Sequence, residues 1–67
     1  MANNLAYLRY KAGLTQAEVA NKIGSCRQTI SLIELGKIPL SVRFRIKLAE
    51  TYGISEDDIK TNVEEIV

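Results

Sequence analysis

Four side chains near the middle of the chain have the types and spacing to meet base edges: Arg27, Gln28, Ser31 and Leu32. Arg and Gln carry donors and acceptors arranged to pair with guanine and adenine in the major groove. Ser31 is short and can reach a base or a phosphate. Leu32, one helical turn beyond Gln28, can touch a thymine methyl but can neither donate nor accept. These four fall on one face of a helix whose other edge carries Ile30 and Ile33. Covalent or metal chemistry has little to work with. The chain has one cysteine and no histidine, so a zinc site or a nucleophile–histidine pair is not expected. Catalytic residues, metal ligands and cofactors are therefore all expected to be none, and the chain is not expected to be an enzyme.

Positioning such a helix takes a second one. Thr15 followed by Glu18 is a capping-box pattern, and Val19, Ala20 and Ile23 recur at helical spacing after it. This predicts a positioning helix from Gln16 to Ile23, closed by Gly24. A recognition helix from Arg27 to Leu35 follows, closed by Gly36. Cys26 replaces a better capping residue in the turn and is expected to be a small buried filler.

At these residues the chain resembles the phage-repressor type of helix-turn-helix domain, the lambda, 434 and Cro-like (XRE) group. The shared pattern stands here as Leu5, Leu8, Arg9, Gly13, Leu14, Thr15, Gln16, Val19, Ala20, Ile23, Gly24, Arg27, Gln28, Thr29, Ile30, Ser31, Ile33, Glu34 and Gly36. It runs on to about Ile59. The resemblance implies an all-α, five-helix, lambda-repressor-like domain occupying residues 1 to 67. It implies a cytoplasmic, sequence-specific regulator of transcription that binds double-stranded DNA, a repressor rather than an activator. By the same resemblance Arg9 pairs with Glu34. Arg27, Gln28, Ser31 and Leu32 face bases. Gln16, Thr29, Lys37 and Arg43 face the DNA backbone, and Gln16 also braces the first residues of the recognition helix.

Asn3 or Asn4 caps a first helix with Leu5, Leu8 and Ala12 as its apolar stripe. Tyr7 and Tyr10 are expected to cover core edges. Lys37 to Leu40 forms a loop, and Ser41 caps a fourth helix with Val42, Ile46 and Ala49 as its stripe, Leu48 and Tyr52 flanking it and Phe44 covering one edge. Gly53 ends it. Ser55 caps a fifth helix in which Ile59, Val63 and Ile66 share a face, a candidate dimer interface. A homodimer on an inverted-repeat operator is the expected assembly, with recognition helices about 34 Å apart. An antitoxin or other module whose main partner is a protein is the alternative.

Charge distribution fits a nucleic-acid partner better than the formal net charge of +1 suggests. Up to Ala49 there are eight basic and two acidic residues, and from Glu50 onward one basic and six acidic. One end can therefore meet phosphate and the other cannot. Solvated helix faces would give the same count. No apolar run approaches the roughly 18 residues of a membrane span, and no signal peptide is visible. A single cysteine suits a reducing compartment.

Overall fold

The computed structural model describes residues 3–61. Four α-helices follow in order: α1 Leu5–Ala12, α2 Gln16–Ile23, α3 Arg27–Glu34 and α4 Val42–Tyr52. A single 3-10 turn, Glu56–Asp58, comes after them. α2 packs against both α3 and α4, and α4 also receives α1 and the 3-10 turn. No strand forms among the described residues; the nearest approach is an isolated antiparallel bridge between Asn3 and Thr61.

Local chemistry sets the helix boundaries. Thr15 Oγ1 accepts from the Glu18 N–H at 3.1 Å while Glu18 Oε1 accepts from the Thr15 N–H at 2.8 Å, so the capping box closes in both directions. Being hydrogen-bonded by Thr15 holds the Glu18 carboxyl below its ordinary range. At α4, Ser41 Oγ accepts from the Phe44 N–H. Gly24 ends α2 at φ 73°, a left-handed conformation in which a side chain would be strained.

The core is built from Leu5, Leu8, Val19, Ala20, Ile23, Ile30, Ile33, Leu48, Ala49 and Ile59. Two expected stripes and the place of two tyrosines are corrected by it. In α1 Ala12 is exposed, and Arg9 is buried in its place. Tyr7 and Tyr10 are exposed too, with the Lys11 ammonium over the Tyr7 ring and the Arg9 guanidinium over the Tyr10 ring. In α4 the inward residues are Leu48 and Ala49 with Phe44 and Tyr52 beside them, while Val42 and Ile46 face outward. Arg45 does not oppose this, because its guanidinium donates to the Ile59 carbonyl at 3.0 Å.

The expected fifth helix is also corrected. Ser55 does cap, its Oγ accepting from the Asp57 N–H, but among the described residues a single 3-10 turn follows and Ile59 leaves it. Ile59 is extended and almost wholly buried. The reason lies in Asn4. Its Oδ1 accepts from the Lys60 N–H at 2.8 Å, its own N–H donates to the Lys60 carbonyl at 3.1 Å, and its Nδ2 donates to the Asp58 carbonyl at 2.8 Å. The backbone groups a helix would use are thus held by the other end of the chain. Asn3 serves instead at the start of α1, its Oδ1 accepting from the Leu5 N–H. Ile59 is a core residue and not part of an outward dimer stripe. Val63 and Ile66 lie outside the described residues.

Candidate nucleic-acid interface

α3 turns Ile30 and Ile33 into the core and leaves Arg27 and Gln28 exposed at its first turn. Ser31 and Leu32 are half-buried on the same outward side. Leu35, just past the last helical residue, is 60% exposed there. It extends the outward series from Gln28 and Ser31 at i+7 and i+4. That spacing was present in the sequence, but the residue passed as a helix end.

The turn before α3 holds a thiol. Cys26 occupies the cap position without capping the backbone, and its Sγ lies 3.2 Å from Thr29 Oγ1. It is exposed, against the expected buried filler. The Thr29 hydroxyl and then its N–H hold the thiol below its usual range. Thr29 itself is half-buried, with its hydroxyl shared with sulfur.

The other end of α3 is fixed by charge. Arg9 Nε donates to Glu34 Oε2 at 2.7 Å and Nη2 donates to Oε1 at 3.2 Å, a two-pronged pair between nearly buried side chains. A third guanidinium donor, Nη1, reaches the Leu14 carbonyl. Glu34 raises the Arg9 pKa further above its ordinary value. Gln16 joins them: its Nε2 donates to Glu34 Oε1 at 3.0 Å. Gln16 therefore braces the last residue of α3, where the resemblance implied the first. One amide N–H and its carbonyl oxygen remain for other partners. α1 and the start of α2 thus grip α3 at Glu34 and set its angle to the rest of the domain.

Two cations flank α3 on its C-terminal side. Lys37 is exposed immediately after Gly36, and Arg43 is exposed in the first turn of α4. Ile38 and Leu40 pack against the core between them. The loop is therefore pinned from beneath by two apolar side chains, with Pro39 exposed.

Two helices at this spacing, joined by a glycine turn, make a helix-turn-helix unit. A helix-turn-helix family model matches residues 5–59, which spans both helices and most of the core. The chain belongs to the Cro/C1-type (XRE) helix-turn-helix family. Members of this helix-turn-helix family are DNA-binding regulators of transcription. The chain is 42% identical over 59 residues to an uncharacterized HTH-type transcriptional regulator of Methanocaldococcus jannaschii, covering 88% of this chain and 89% of that one. It is 36% identical over 59 residues to one from Archaeoglobus fulgidus, covering 88% and 84%. A third, from Sinorhizobium fredii, is 34% identical over 65 residues, covering 97% and 84%. Among the described residues no helix is long and apolar enough to cross a membrane.

Proposed function

We propose that this helix-turn-helix chain is a transcriptional repressor that binds double-stranded DNA sequence-specifically as a homodimer on an inverted-repeat operator. The observation that carries the reading is the exposed start of α3, where Arg27 and Gln28 stand free while Glu34 is locked at the other end. A helix rigidly held at its base presents side chains to a groove with little ordering cost. Arg27 and Gln28 read base edges, Ser31 supplies a short hydroxyl, and Leu32 contacts a thymine methyl. Lys37 and Arg43 neutralise phosphates on either side of the pinned loop. Thr29 and the spare amide groups of Gln16 add backbone contacts, and the start of α2 offers a partial positive charge to a phosphate.

Selection from a random duplex pool, followed by titration of the enriched site, tests this. A recovered inverted repeat bound by two chains supports it, and recovery of no consensus rejects sequence-specific binding. Repression is read with the enriched site placed across a promoter. The alternative, a module whose main partner is a protein, drew on an apolar C-terminal stripe. Its first member, Ile59, is buried in the core and cannot serve a partner.

A further inference from the structure

We propose that two copies of the chain pair through the outward face of α4, antiparallel, with Ile46 beside the two-fold axis. This rests on the homodimer reading above and gives it a surface. Val42 is 72% exposed and Ile46 is 40% exposed, and at i and i+4 they form one apolar ridge. The other large exposed apolar residues among those described have local roles. Tyr7 and Tyr10 lie against cations of their own helix, and Leu35 belongs to the recognition face. Val42 and Ile46 have no such neighbour among the described residues.

Charge decides the occupant and the direction. Arg43 and Glu50 are both exposed and lie together on one flank of the ridge, one near each end of the helix. In an isologous pair each residue meets the symmetry partner of the residue it would face. With the axis just past Ile46, between it and Lys47, the residue three before Ile46 stands across from the residue four after it. Arg43 meets the partner's Glu50 and Glu50 meets the partner's Arg43, on the same side of both ridges, and the five N–H donors of the guanidinium leave Arg43 some for a phosphate as well. Parallel packing would instead turn the two charged flanks to opposite sides, so that neither Arg43 nor Glu50 gains a partner across the ridge. α4 has 11 residues, about 16 Å of helix. A ridge that short buries less than the roughly 1,200 Å² of a stable interface, so the pair is weak alone and completes on the operator. The outward face of α3 stays uncovered.

Cysteine cross-linking without DNA tests the surface. In a Cys26→Ser background, Ile46→Cys places two thiols across the axis, within reach of a disulfide. Mild oxidation should link it at least ~10-fold faster than Leu35→Cys or Tyr7→Cys, since pairing raises the local thiol concentration. Adding Glu50→Arg should slow the reaction, and adding Arg43→Glu as well should restore it. Equal rates at positions 46, 35 and 7 would overturn the proposal, as would a Glu50→Arg effect that Arg43→Glu leaves unrescued. No arm contains DNA. A chain that cross-links at position 46 yet enriches no duplex would sink the DNA reading alone.

Discussion

Glu34 shows how much one carboxylate can organise. It accepts from Arg9 twice and from Gln16 once, and so ties three helices at the base of the recognition helix. Glu34→Ala would leave the Arg9 guanidinium buried without its partner. That should cost about 3–5 kcal/mol, measured as a lower denaturant midpoint with an unchanged slope. Arg27 and Gln28 are the opposite kind of residue, exposed and without structural duties. Either one changed to Ala should leave stability nearly unaltered. Each should cost about 1–3 kcal/mol on the selected duplex and little on a scrambled one. Equal losses on both duplexes would assign that side chain to the phosphates. The Arg9–Glu34 pair was legible as a family resemblance carried by residue types. The Gln16 bond was not, because a glutamine at the first position of a helix reads the same whether it faces solvent or a neighbouring carboxylate.

At the scale of elements, α2 was legible because its signals agree: a closed capping box, a clean apolar stripe and a glycine stop. α4 was not. Its sequence alternates apolar and basic residues from Val42 to Leu48, so two stripes fit the helical period equally well. The choice was made by what lay opposite: room for Phe44 and Leu48, and a carbonyl at Ile59 for the Arg45 guanidinium. The segment after Ser55 was misread for a similar reason. Acidic residues behind a capping serine suit a helix, but Asn4 holds the backbone of Lys60 from the far end of the sequence. The loop between α3 and α4 carries its own expectation. Ile38 and Leu40 hold it down, so Lys37 and Arg43 should act as fixed charges. Lys37→Ala and Arg43→Ala should each flatten the dependence of log affinity on log salt by about one unit. An unchanged slope would place that side chain away from the DNA.

The whole molecule is small, with a Cα radius of gyration of 10.7 Å, and every buried side chain counts. Ile59 is 1% exposed and sits beside Leu5, Leu48 and the rest of the core although it lies beyond the last helix. Ile59→Ala should cost about 2–5 kcal/mol, as for other truncations of a fully buried aliphatic residue. A cost near zero would mean that the end of the chain is not docked in solution. Tyr52 reports the same packing through pH. Burial, with the nearby Glu34 charge, pushes its phenol up to about 12. The unfolded phenol ionises near 10, so the folded state holds the proton longer. Stability is then insensitive to this group below about pH 10 and falls between about pH 10 and 12. The phenolate absorbance removed by Tyr52→Phe should be the part that appears near pH 12.

The hydrogen bonds of Asn4 bear on the order in which the chain folds. They join residues 54 and 56 apart in sequence, nearly the full described length. The capping bonds of α2 and α4 join residues only three apart. Closing the longest loop costs the most chain entropy, and that cost is recovered only after the helices have condensed. The clasp between the two ends should therefore close after the rate-limiting step. Asn4→Ala should speed unfolding and leave the folding rate almost unchanged, a φ-value near zero, whereas Val19→Ala in the middle of the helical core should slow folding. The helix-turn-helix pair would then be assembled before Asn4 and Lys60 have met.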